Sequence, residues 1–192
     1  MSQRPQGRPI ALQTERFLVR SLTTADVSDR WSSWSADPDV MGPLNVPTRR
    51  MSKEDLARYI ARFDNDNGYL IGVFAKTMSL HIGFFMIEAN KMHATAAFNL
   101  VIGDKQYWGK GVVNEVRAAL LDEFFEQRGV EKAYGTPLAR NFPAVFNYKA
   151  QGWRLEGVLK GQCKSITDGS RLDQYHFGML RDEWRARKGK QR

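Results

Sequence analysis

Gln106, Gly109, Lys110 and Gly111, spaced Gln-x-x-Gly-Lys-Gly, are the residues of this 192-residue chain best suited to hold an anion. Two glycines keep side chains off the backbone just before a segment of helical period begins, and the first N–H groups of a helix have no partners within it. Such donors, with the helix dipole behind them, suit a phosphate. The loop lacks the third glycine of a dinucleotide fingerprint, and no Lys-Ser or Lys-Thr pair follows, as a nucleotide-hydrolase loop requires. Metal chemistry has no candidate residues: His81, His93 and His176 are scattered, and the single cysteine, Cys163, has no internal disulfide partner.

The elements that must position this loop lie on either side of it. Leu100, Val101 and Ile102 form a short apolar run that breaks at Gly103-Asp104. Beyond the loop, Val112, Val113, Val116, Leu120, Leu121 and Phe124 recur every three or four residues, which predicts a helix stopped by Gly129. Glu115, Arg117, Asp122 and Glu123 are assigned to its solvent face. Upstream, Tyr69–Ala75, Ile82–Glu88 and Ala94–Ile102 read as an antiparallel meander. Thr14–Leu22 reads as a first strand, Thr23 or Thr24 as the start of a helix through Trp34, and Asp37–Pro43 as a loop. Ser52 opens a second helix with a capping box to Asp55. Downstream, Lys132–Leu138 reads as a strand parallel to the loop's own, Pro143–Gln151 as a helix, and Trp153–Ile166 with Leu172–Leu180 as a closing hairpin turning at Asp168-Gly169.

Composition is that of one globular domain, with 42% hydrophobic and 26% charged residues. No run approaches the roughly 20 apolar residues of a membrane span, and MSQRPQGRPIALQ has no secretory apolar core, so the expected compartment is the cytoplasm with no membrane partner. Of the net charge of +8, residues 1–11 carry +2 and residues 181–192 carry +4. Basic tails at 1–11 and 185–192 around a domain at 12–184 solubilise more often than they recognise nucleic acid, so specific nucleic-acid binding is not expected.

IGDKQYWGKG between a strand and a helix resembles the coenzyme A pyrophosphate loop of the GNAT N-acetyltransferases, in the branch that includes the ribosomal-protein N-terminal and the spermidine acetyltransferases. The likeness runs from about Leu12 to Trp184. It implies an α+β (α/β) GNAT fold, with a mixed central sheet of about seven strands splayed at the coenzyme site and about four flanking helices. It also implies acetyl-CoA as donor, held by Leu100, Val101, Ile102, Gln106, Gly109, Lys110, Gly111, Val112, Val113 and Asn114, no metal, and room for a homodimer. Asn141 to Trp153 resembles the family's second signature, which implies that Asn141 bonds the pantetheine arm and Tyr148 protonates the departing thiolate. Read without the family, Asn141 is a helix N-cap and Tyr148 a packed helix aromatic.

Two departures bear on mechanism. Ala144 stands where many members carry serine, and Ala97 where a carboxylate is frequent, so no base is assigned at that position; Glu88 on the preceding strand is the nearest carboxylate in sequence that could face the open middle of the sheet, or else it is a solvated strand end. The leading expectation is an N-acetyltransferase acting on a small-molecule or peptide amine in a ternary complex; the alternative is an inactive coenzyme A-binding sensor or scaffold. Trp31 and Trp34 share a helix face, where they either pack in the core or wall the acceptor pocket. Arg49 and Arg50, in a segment from Gly42 to Met51 without acids, point to an anionic acceptor such as a nucleotide amino sugar, with a protein N-terminus second.

Overall fold

The computed structural model describes residues 7–189. Its strands are β1 (Ala11–Gln13), β2 (Phe17–Ser21), β3 (Gly68–Ala75), β4 (Leu80–Asn90), β5 (Thr95–Ile102), β6 (Lys132–Gly135), β7 (Arg154–Lys164) and β8 (Arg171–Leu180). They form one mixed sheet in the order β1-β2-β3-β4-β5-β6-β8-β7. The helices are α1 (Asp29–Trp34), α2 (Pro38–Met41), α3 (Lys53–Ile60), α4 (Val112–Gln127), α5 (Phe142–Ala150) and α6 (Arg181–Gly189). Eight strands and six helices replace the expected seven and four. The eighth strand is β1, which falls in and just beyond the stretch read as a tail; Ile10 before it is 2% exposed and Arg8 is ion-paired to Glu123 at 2.9 Å.

The meander is as expected: β3, β4 and β5 are antiparallel neighbours, with Glu88 opposite Gly68 and Ala97. Strand alternation divides their side chains between two cores. One, with Ile71, Phe85, Ile87 and Phe98, is covered by Val116, Leu120, Leu121 and Phe124 of α4 and by Tyr148 and Trp153. The other, with Leu70, Phe74, Phe84 and Val101, is covered by Trp31 and Trp34 of α1 and Leu56 and Ile60 of α3.

Three local readings change. The helix expected from Thr23 or Thr24 is a short 3-10 turn, Thr24–Asp26, after which Val27 is extended and Ser28 caps α1 by accepting from the Trp31 N–H. The expected loop at Asp37–Pro43 contains α2, capped by Asp37 with Pro38 in its first turn, where a missing N–H costs nothing. The supposed tail from Arg185 continues α6 through Gly189, docked on α4: Trp184 Nε1 donates to Asp122 at 2.7 Å, and Arg185 and Lys188 pair with Glu126 and Asp122.

Candidate active site

The parallel pairing of β5 with β6 covers only Thr95–Ala97 against Lys132–Tyr134. From Phe98 to Ile102 the strand has β4 on one side and no strand on the other, so the sheet parts at Phe98. A crossover through a sixteen-residue helix joins the two strands, and the glycine loop sits at the open end of the gap.

The loop is held from both directions. Asp104 accepts from the Gln106 N–H at 3.0 Å and pairs with Arg30, and the Trp108 indole donates to the Ile102 carbonyl at 2.7 Å. Gly109 and Gly111 both take the left-handed conformation, φ 70° and 72°, which costs a glycine little. Gly111 is the N-cap of α4, and the first amide bonded back within the helix is that of Glu115, to the Gly111 carbonyl at 3.1 Å. The N–H groups of Val112, Val113 and Asn114 therefore remain available to an anion beside exposed Gly109, Lys110 and Gly111. Sequence reading missed Arg16: it donates to the Lys110 carbonyl at 2.9 Å, and its Nη2 lies 3.7 Å from where a Cβ on Gly111 would be. Ninety-odd residues separate it from the loop, and it is held there by its ion pair with Glu115 of α4 at 2.6 Å. Burial tends to raise the Glu115 carboxyl, but hydrogen bonds from Thr14 and Arg16 hold it below its ordinary value, so α4 begins with a neutralised acid.

At the other end of the gap lies Tyr148. It is 5% exposed, stacks on Phe177 at 5.0 Å, and its hydroxyl donates to the Phe98 carbonyl at 3.1 Å, where the strands separate. A Cβ on Gly135 of β6 would lie 1.9 Å from that hydroxyl, so glycine is what lets the phenol reach the gap. Burial raises the Tyr148 pKa while Arg117 pulls it down, which leaves the phenol protonated at neutral pH. Arg117, expected on the solvent face of α4, is instead fully buried, because α5 covers that flank through a 2.7 Å bond from Arg117 Nη2 to the Asn147 carbonyl.

Asn141 caps α5, accepting from the Ala144 N–H at 3.2 Å, while its amide donates to Pro43 at 3.2 Å. Leu100 and Ile102 are half-buried beside the gap, and the Val101 and Val112 side chains are in the cores. Glu88 is exposed opposite Ala97, the last β5 residue paired to β6, and alternation puts it on the α1–α3 face with Met86 and Phe84. Trp31 and Trp34 pack rather than wall an open pocket: they are 3% and 5% exposed and enclose His81 at 5.5 and 5.0 Å between ring centroids. Arg49 is drawn to Asp55 at 3.5 Å, a carboxylate that Arg58 shares, whereas exposed Arg50 has no ion pair among the described residues. No group of side chains suited to a metal occurs among the described residues.

Free amides at a helix N-terminus at one end of a parted parallel strand pair, with a buried phenol at the other, suit a coenzyme-dependent transferase. Residues 16–152 match the family model described as acetyltransferase (GNAT) domain, so the chain belongs to the GNAT acetyltransferases and uses acetyl-CoA. It is 24% identical over 177 residues to an uncharacterized N-acetyltransferase, YnaD, of Bacillus subtilis, covering 90% of this chain and 98% of that one. Among solved structures it resembles spermidine N-acetyltransferase from Vibrio cholerae in complex with CoA and spermine, with TM-score 0.77, 20% identity and coverage of 88% and 98%. It also resembles ribosomal-protein-S5-alanine acetyltransferase from Vibrio fischeri, with TM-score 0.74, 16% identity and coverage of 91% and 98%.

Proposed function

We propose that this acetyltransferase acetylates a primary amine by direct attack in a ternary complex, with Tyr148 as general acid and Glu88 as the carboxylate that takes the amine proton. The Tyr148 hydroxyl at the Phe98 carbonyl carries this reading, since it sits where β5 loses its parallel partner. In the reaction the amine nitrogen bonds to the thioester carbonyl carbon. As the C–S bond breaks, its electron pair goes to sulfur, which takes the phenol proton. The coenzyme's pyrophosphate lies on the N–H groups from Gly109 to Asn114, beside Gln106, and its arm runs along Leu100 to Ile102 and Asn141. Cys163 lies far along the edge strand β7 and is not part of the reaction.

Replacing Tyr148 by Phe keeps the ring packing and removes the proton. Thiol release from acetyl-CoA with an amine panel is expected to slow by about 10²-fold where chemistry limits turnover. An unchanged rate would eliminate Tyr148 as the acid.

The acceptor we favour is an amine on a small anionic molecule such as a nucleotide amino sugar, ahead of a protein N-terminus. It is supported by the Arg49-Arg50 pair. Because Arg49 is already paired with Asp55, Arg50→Ala should cost more activity than Arg49→Ala. Nucleotide amino sugars, N-terminal peptides, aminoglycosides and spermidine offered in competition test this, and a preference for spermidine rejects it. We place the enzyme in the cytoplasm, as a homodimer formed through β7, an edge strand eleven residues long with Leu155, Val158 and Leu159 exposed. A concentration-independent monomer in sedimentation would exclude that dimer.

A further inference from the structure

Arg117 is 0% exposed, yet no carboxylate lies within 4 Å of it among the described residues. Its hydrogen bonds go to neutral oxygens: Nε to Gln151 Oε1 at 2.5 Å, and Nη2 to the Asn147 carbonyl at 2.7 Å and Asn114 Oδ1 at 3.4 Å. Nη1 is buried with no partner. The guanidinium packs against both rings, 4.4 Å from the centre of Tyr148 and 5.2 Å from that of Trp153, which are themselves edge-to-face at 5.1 Å. Burial lowers its pKa to about 10, with Tyr148 acting in the opposite sense, so it remains a cation at neutral pH.

A buried charge without a counter-ion is costly, and an apolar residue of similar volume would join α4 to α5 at less expense. The negative charge that the proposed reaction leaves on the ring packed against Arg117 is on the Tyr148 oxygen. When the phenol proton passes to sulfur, a phenolate remains in a site that burial makes hostile to it.

We propose that Arg117 is a positioning residue for this proton transfer, a fixed buried cation against the Tyr148 ring that stabilises the phenolate without touching coenzyme or acceptor. The inference rests on the reading of Tyr148 as the acid. The balance is closed by solvent. The amine nitrogen gives its extra proton to Glu88, the sulfur leaves as free thiol, and a proton returned through water restores the phenol.

The test is a double-mutant cycle, Arg117→Met against Tyr148→Phe, read as kcat under chemistry-limited conditions and as KM for acetyl-CoA. In the parent background Arg117→Met should lower kcat about 10-fold, within the range of couplings between residues in contact, with KM changed less than about 2-fold. In the Tyr148→Phe background the same change should leave kcat nearly constant. Equal slowing in both backgrounds overturns the role of Arg117 and leaves the acid assignment standing; a Tyr148→Phe protein at full rate overturns both. If Arg117→Met does not fold, Arg117→Lys with fluorotyrosine at position 148 decides. A more acidic phenol should restore the lysine variant more than it speeds the parent, and equal gains in the two would overturn the proposal.

Discussion

At the scale of single residues, one polar group buried without partners gives stability a pH dependence of its own. His81 is enclosed by Trp31, Trp34 and Phe74, and neither ring nitrogen has a hydrogen-bond partner. Burial holds its pKa down to about 4 from an ordinary 6.5. The unfolded chain therefore binds a proton that the folded protein refuses, so stability is complete above pH 6.5, falls as the pH drops through that window and levels off below about 4. The loss should amount to about 3 kcal/mol. Urea unfolding at pH 7, 5.5 and 4 measures it, and His81→Phe should flatten the curve. A parent protein as stable at pH 4 as at pH 7 would show that the imidazole is not confined in this way.

At the scale of elements, the two glycines that terminate α4 separate binding from folding. Gly111 and Gly129 have φ of 72° and 69°, so a side chain at either meets the same backbone cost. Asparagine tolerates that conformation better than branched residues do. Gly111→Asn and Gly129→Asn should thus lose similar amounts of stability, but only Gly111→Asn should weaken coenzyme A binding, by about 10-fold or more for a lost anion contact, read by calorimetry. Equal affinities would remove the pyrophosphate from the α4 N-terminus. These glycines, the strand before them and the helix after them were legible because the signal is local: a glycine pair, an apolar run and a 3.6 period. The helix Asp29–Trp34 began later than expected because the Thr23 cap closes on Asp26 as a single turn and the chain needs a second cap, Ser28. Periodicity could not find Arg117, since a cation on an amphipathic helix normally faces water and only the packing of α5 covers it. Arg16 and Gly135 were hidden for a related reason: their roles come from a contact with a distant loop and from the seating of the Tyr148 hydroxyl where a Cβ would otherwise be, neither of which spacing encodes.

At the scale of the whole molecule, the basic ends fold back onto the acids of α4 and its following turn. Arg8 meets Glu123, Arg181 meets Glu131, Arg185 meets Glu126, and Lys188 meets Asp122. Arg4, Lys190 and Arg192 lie outside the described residues. The described basic ends are therefore parts of the domain with much of their charge balanced, not free cationic arms, and α6 covers the outer side of the core through Trp184, 6% exposed. The molecule also carries its own optical reporter. Of its five tryptophans, Trp31, Trp34, Trp153 and Trp184 are no more than 6% exposed, while Trp108 is 42% exposed with its indole on the carbonyl of Ile102. A coenzyme arm lying along β5 would contend for that carbonyl. Titration with acetyl-CoA should then change the red, solvent-facing part of the emission and leave the blue part from the four buried indoles unaltered, and Trp108→Phe should abolish the change while the protein still binds. A signal that survives in Trp108→Phe would place the perturbed indole elsewhere. The same fluorophore would let a stopped-flow instrument follow donor binding before any acceptor has been identified.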